Sequence, residues 1–263
     1  MNIFKMALLV WGAGLVLAPA AASAAVQFDD VTVESATETG VNGAIKSDTP
    51  SQTYNSLGVL ERGVLKTANN LAVKATGSAQ ADSTSAAKFT SAASGSYGFV
   101  QDAASSISRS AATAYGVGSG SVDYVFTITG PSSYDILIDG QEGGSASGSS
   151  STGTFDTSLW DATTGTYLFL NDIAAGQSFS DLVTGLTAGV YDLASESGAP
   201  VFSASAGCTC SSGLAADAAG FDFSISAVPE PAEWALMVLG IALIGGALRA
   251  SRRANGATYR LQA

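Results

Sequence analysis

Between Val122 and Thr129 the chain alternates with a period of two. Val122, Tyr124, Phe126 and Ile128 form one set of positions, and Asp123, Val125, Thr127 and Thr129 form the other. Aromatic and β-branched residues in that rhythm predict a strand with one buried face. Gly130-Pro131-Ser132-Ser133 predicts a turn into a second alternating run, Tyr134 to Asp139, which Asp139-Gly140 is expected to close. Further strands are expected at Thr166–Leu170, ended by Asn171-Asp172, at Val190–Leu193 after a turn at Leu186–Gly189, and at Val201–Ala204. A last strand follows, in which Phe221, Phe223 and Ile225 alternate with Asp222, Ser224 and Ser226. Residues 142–154, EGGSASGSSSTGT, read as a Gly/Ser loop.

Short strands divided by Gly, Ser and Asp turns argue for an all-β fold, an antiparallel β-sandwich of jelly-roll or immunoglobulin-like type. The polar alternates suit sheets with one wet face. The stretch from Ala36 to Gly120 is rich in Ala, Ser, Thr and Gly and patterns less sharply. Within it, Val100, Ala103, Ala104, Ile107, Ala111 and Tyr115 also fit one helical face, but the Ser and Thr content and the strand that follows favour strands. No repeat of fixed period and no linker divides the region, so one domain is expected, with two small sandwiches as the alternative.

The two ends have a different pattern. Lys5, the apolar run Met6–Leu17, Pro19 and Ala22-Ser23-Ala24 have the layout of a secretory signal peptide, cut after Ala24. Twelve apolar residues are too few for a transmembrane helix. At the other end, Trp234 to Leu248 is free of charge; as a helix it would span about 22 Å, short of a hydrocarbon core of about 30 Å. Extended to 234–250, it predicts a marginal single-pass helix whose arginines hold the C-terminus inside and whose Trp234 sits at the outer interface. The expected organisation is therefore a signal helix at 1–24, an exported domain at 25–228, a tail signal at 229–253 and a short cytoplasmic segment at 254–263.

Pro229-Glu230-Pro231, then Trp234-Ala235, a glycine-bearing apolar run, and Arg249, Arg252 and Arg253 resemble a PEP-CTERM sorting signal in its Trp-Ala variant. The likeness covers about 25 residues, and its three elements stand in the family's order. In such signals the arginines usually close the chain, whereas Ala254 to Ala263 follow here. The resemblance implies export in a Gram-negative bacterium that makes extracellular polysaccharide, and recognition of the tail by a membrane transpeptidase-like enzyme, exosortase. The protein would be a single-pass, N-out and C-in membrane species before processing, and a cell-surface or extracellular one afterwards. The Ala/Ser-rich region before the tail resembles, more weakly, the β-sandwich ectodomains found in such proteins.

Composition narrows the chemistry. Residues 25–228 hold 20 of the chain's 22 acidic residues and only six basic ones: Lys46, Arg62, Lys66, Lys74, Lys88 and Arg109. So negative a surface disfavours nucleic acid. The absence of histidine removes several common catalytic and metal-binding arrangements. Cys208 and Cys210 could close a tight loop disulfide after export, but two thiols alone make a poor metal site. Asp139-Gly-Gln-Glu142, Asn171-Asp172 and Asp29-Asp30 offer oxygen ligands for Ca²⁺, although no EF-hand or Gly-Asp repeat is present and ordinary turn chemistry is the simpler reading. Carboxylates at Asp123, Asp135 and Asp222 read as solvated alternates.

Trp160, beside Asp161 and near Phe155 and Tyr167, could form a sugar-stacking platform, though a lone Trp in a sandwich more often fills the core. With no nucleophile–base arrangement visible, the expected role is structural or adhesive, in a cell envelope or matrix associated with exopolysaccharide or biofilm. A carbohydrate-binding module comes second and a secreted hydrolase third.

Overall fold

The computed structural model describes residues 25–74, 76–108, 112–147, 153–197 and 211–228, with Ala235, residues 237–246 and Arg249. The expectations for Ala22 and Ala24, Val201–Ala204, Cys208 and Cys210, Pro229, Glu230, Pro231 and Trp234, and Arg252, Arg253 and the last ten residues lie outside them. The described residues fall into two compact units, one up to Ser226 and one from Ala227 onward.

In chain order the first unit contains β1 (Ala25–Val41), β2 (Ala44–Asp48), β3 (Ser51–Tyr54), a one-turn helix α1 (Leu57–Leu60), β4 (Val64–Lys74), β5 (Gly77–Ser91), β6 (Ser94–Ile107) and β7 (Ala114–Thr129). It continues with β8 (Tyr134–Ser147), β9 (Thr154–Asp161), β10 (Thr166–Ala174), β11 (Ser178–Leu186), β12 (Gly189–Ser197) and β13 (Ser211–Ala227). Two antiparallel sheets result. One runs β10-β9-β12-β7-β1-β2, with β3 also against β1; the other runs β11-β8-β13-β6-β5-β4. From β6 onward the pairing is nested: β9 with β10, β8 with β11, β7 with β12 and β6 with β13.

The alternating runs 122–129, 134–139, 166–170, 190–193 and 221–225 all lie in strands, and the turns at 130–133 and 187–188 separate them. Two expected turns do not form. Asp139-Gly140 lies inside β8, which continues into the expected Gly/Ser loop as far as Ser147. Phe179 opposite Gly140 explains this: a Cβ on Gly140 would meet the Phe179 ring at 2.2 Å, so the aromatic from β11 covers the missing side chain. Asn171-Asp172 likewise lies inside β10, and Asp29-Asp30 falls at a bulge in β1. The ambiguous stretch 99–115 is shared by β6 and β7; Ala103 and Ile107 point inward, whereas Val100 is 52% exposed.

The core between the sheets changes character along its length. One half is aromatic: Phe89 meets Tyr124 edge-on at 4.8 Å and Phe223 at 5.4 Å, and Tyr97 meets Phe221 at 4.4 Å. Val31, Val33, Ile128, Ile136, Ile138, Leu159 and Leu193 pack around them. Such edge-to-face pairs add about 0.5–1.5 kcal/mol each beyond their buried area.

The other half is thin. The inward positions of β5 are Ala79, Ala81, Ser83 and Ser85, and those of β7 are Gly116, Gly118 and Gly120. Here hydroxyls cross directly from one sheet to the backbone of the other. Ser83 Oγ donates to Ser119 O at 2.6 Å, Ser85 Oγ to Glu34 O at 2.5 Å, and Ser35 Oγ to Lys66 O at 2.9 Å. Side chains this small bring the sheets closer than the usual spacing of about 10 Å, and polar pairing takes over from apolar burial.

In the second unit Ala235, residues 237–246 and Arg249 are helical, and Met237, Leu239, Ile241 and Leu243 are exposed. Among the described residues no helix is long and apolar enough to cross a membrane. The expected span over 234–250 includes Trp234, Leu236, Ala247, Leu248 and Ala250, which lie outside the described residues.

Candidate functional site

The outer face of the seven-stranded sheet carries a dense set of acidic and hydroxyl side chains, and the strand register sets it out in three rows. The first row crosses Tyr167, Trp160, Asp192, Val125 and Asp30, on β10, β9, β12, β7 and β1 in turn. The second crosses Leu170, Ser158, Ala194, Asp123 and Thr32. The third crosses Asp172, Asp156, Glu196, Ser121 and Glu34. Successive rows are two residues apart along the strands, about 6.7 Å, except on β10, where a bulge sets Leu170 three residues after Tyr167. Seven carboxylates therefore share one face, and no lysine or arginine stands in these rows.

A groove of about 500 Å³ lies over the second and third rows, with Ser158, Ala194 and Asp123 among its lining and Leu170 and Glu196 beside them. Its floor exists because Ser158 and Ala194, adjacent in the second row, have small side chains. Trp160 stands one row beyond. It is half-buried on the outer face and meets Tyr167, which is 57% exposed, at 4.6 Å and an interplanar angle of 62°. The expectation that a lone Trp fills the core is therefore reversed. Its neighbour Phe155 takes the core position instead, and Tyr167 stays with it on the surface. Asp161 holds the β9–β10 turn, its Oδ1 accepting from the Thr163 and Thr164 N–H groups at 2.8 and 3.2 Å. Burial alone would raise the Asp161 carboxyl, but hydrogen bonds from Thr164 and Thr163 outweigh it and hold the pKa below its usual value.

Crowding of like charge dominates the electrostatics. Asp123, read from the sequence as a solvated alternate, is half-buried. Burial pushes its pKa up to about 6, helped by the charges of Asp192, Glu196, Glu34 and Asp30. Asp192 is raised by burial and by Asp30. Asp156 is raised by burial, by the charge of Asp172 and by a hydrogen bond to it. A glycosidase needs its two carboxyl groups about 5–9.5 Å apart, with the scissile bond between them. Asp156 and Asp172, directly opposite and sharing a hydrogen bond, leave no such room.

Among the described residues no group of three or more His, Cys, Asp or Glu side chains is placed to hold a metal ion. The acidic pairs considered as Ca²⁺ ligands lie within strands: Asn171 and Asp172, and Asp139 and Glu142, point to opposite faces of theirs, whereas Asp29 and Asp30 share the outer face at the β1 bulge, Asp29 Oδ2 accepting from Thr127 Oγ1 at 2.6 Å.

The sequence pointed to Trp160 and Tyr167 but not to the carboxylate rows, because those depend on pairings between distant strands. A local trace of them does exist. Asp30 and Glu34, Asp192 and Glu196, and Asp156, Ser158 and Trp160 keep even spacing, the mark of residues sharing a strand face. No protein-family model matches the chain, and comparison with curated proteins finds no match.

Proposed function

We propose that this is an exported protein of the cell envelope or extracellular matrix, structural and adhesive in role, that associates with extracellular polysaccharide through the outer face of its seven-stranded sheet. The observation that carries the reading is the pair Trp160–Tyr167, turned outward beside a groove on the same face. Aromatic faces stack on the apolar faces of sugar rings, and the flanking serine and carboxylate oxygens can accept hydroxyl hydrogen bonds. We read the sandwich more finely as a jelly roll. The nested pairs β6·β13, β7·β12, β8·β11 and β9·β10, split between the sheets as β11-β8-β13-β6 and β10-β9-β12-β7, support this. That architecture is used by lectin domains among others and fixes no activity by itself.

Delivery is part of the proposal. The signal-peptide layout before Ala25 and the Pro229-Glu230-Pro231, Trp234-Ala235 and arginine series support export followed by exosortase-type sorting. Intact-mass measurement of membrane and secreted fractions tests it. A species beginning at Ala25 and ending near Pro229 is expected, and a membrane-bound species retaining Trp234 to Ala263 as the sole product would overturn processing. Retention of the protein on purified polysaccharide tests the adhesive role. Trp160→Ala should abolish retention while the protein still folds, its unfolding midpoint lowered by loss of the half-buried ring and its pairing with Tyr167, and equal retention of the variant would remove this face from the mechanism.

A further inference from the structure

The groove carries information about the charge of its ligand, and this inference rests on the glycan-binding reading above. The aromatic pair and the small-residue floor make the site; the surrounding charge then selects among glycans. A ring stacked on Trp160 lies one row from the Ser158–Ala194 floor and two rows from Asp156 and Glu196, about 13 Å along the strands. A chain following the strands past the floor has Asp192 and Asp123 beside it and Asp156, Asp172 and Glu196 ahead. No cation in these rows offsets them. A uronate or sulfated polymer would add like charge to this face, at a cost that grows with each residue bound. Substituents that carry ammonium groups would relieve the same repulsion.

We propose that this groove takes an amine-bearing glycan, a polymer of hexosamine with free amino groups, its ring faces on Trp160 and Tyr167 and its ammonium groups among Asp123, Asp192, Asp156 and Glu196. Three properties follow. Binding prefers the free amine over its N-acetylated counterpart, because the acetylated sugar keeps the ring and loses the charge. Binding makes Asp123 give up its proton close to pH 6, because an ammonium favours the ionised form of a carboxyl that burial and its four acidic neighbours hold partly protonated in the free protein. Between pH 7 and pH 5 neutralisation of that carboxyl works against the gain from protonation of the sugar amine, so Asp123→Asn should bind the amine more tightly at pH 5 relative to pH 7 than the parent does.

Calorimetry on the purified protein separates the outcomes, using a glucosamine oligomer, the matching N-acetylglucosamine oligomer, an oligouronate of equal length and spermine. The glucosamine oligomer should bind about tenfold or more tightly than the acetylated one, and the uronate not at all. Trp160→Ala should weaken both amino-sugar ligands about tenfold or more, and Trp160→Phe should recover most of the loss. Asp123→Asn with Glu196→Gln should erase the preference for the amine while keeping the acetylated ligand, and Asp82→Asn, on the other sheet, should change nothing. Equal binding of the two oligomers, with both lost in Trp160→Ala, overturns the charge selection and leaves the glycan reading standing. Spermine binding as tightly as the glucosamine oligomer, insensitive to Trp160→Ala, reduces the effect to bulk charge and overturns the inference. No binding of any glycan overturns both.

Discussion

Gly116→Ala adds one methyl group at the thin half of the core and measures how closely the sheets approach. Gly116 faces inward on β7, where an added Cβ would sit 2.5 Å from the Gln80 carbonyl oxygen and 3.5 Å from the Ala103 Cβ. The obstacle is the backbone of β5, a strand paired on both sides, so no side-chain rotation relieves it. The sheets must part, and the hydroxyl bonds from Ser83 and Ser85 to the facing strands stretch with them. Overpacking of this kind costs about 1–3 kcal/mol, while replacing glycine normally gains about 0.4–1 kcal/mol from the unfolded chain. The net expectation is a loss of about 1–2 kcal/mol, which lowers the urea midpoint by roughly half a molar for a slope of about 2–3 kcal/mol/M. Gly98→Ala is the internal control. Gly98 lies on the outer face of β6 with no heavy atom within 4 Å of the added Cβ, so this variant should match or exceed the parent. If Gly116→Ala unfolds at the parent's midpoint with an unchanged slope, the sheets are not in backbone contact and the account of the thin core fails.

Stability should also depend on pH through the carboxylate rows. The Asp123 pKa is raised on folding to about 6, so the native state holds the extra proton, and stability falls as pH rises from about 4 through about 6. Asp156 and Asp192 act in the same direction. After allowance for solvent screening, Asp123→Asn should stabilise the protein at pH 7 by about 1 kcal/mol and flatten its stability between pH 4 and 7; an unchanged pH slope would refute the assignment. A third test concerns Asn42, at φ 47° in the β1–β2 turn. Its Nδ2 donates to Thr76 Oγ1 at 2.6 Å and its Oδ1 accepts from Thr113 N at 2.9 Å, tying three chain reversals together. Asn42→Gly keeps the conformation and loses the two bonds, and should cost about 1–2 kcal/mol; Asn42→Ala loses both and should cost more, by thermal or urea unfolding. Equal stability of the two variants would show that backbone conformation contributes nothing there.

Where large and small side chains alternated, the sequence revealed its strands. In Val122–Thr129 the inward positions are the large ones, so the period of two is plain. The same strand begins eight residues earlier, at Ala114, and there the pattern inverts: Gly116, Gly118 and Gly120 point inward while Tyr115 and Val117 point outward. A hydrophobicity pattern cannot report a buried glycine whose burial comes from the approach of another backbone. Turn chemistry misled for a related reason. Asp139-Gly140 suits a turn in isolation, but Phe179 covers the glycine from the neighbouring strand and the ladder runs on. The candidate site was half legible. Trp160 and Tyr167 are close in sequence, whereas Asp30 and Asp123 become neighbours only through the long-range pairing of β1 with β7.

The nested strand order also dictates how the molecule must come into being. β1 pairs with β7 from Ala25 opposite Thr129 to Val41 opposite Ala114, and β6 meets β13 with Ile107 opposite Ser211. Contacts so distant in the chain close large loops before any of them is rewarded, which places folding in the slow range of milliseconds to seconds or beyond. The final strand is the decisive one. β13 does not extend an edge but enters the middle of its sheet, between β6 and β8. Until it arrives, both of those strands present open ladders that invite pairing with another chain. The domain therefore completes itself only when the last of its strands is delivered, and a chain cut short before Ser211 would leave two half-sheets with no strand to join them.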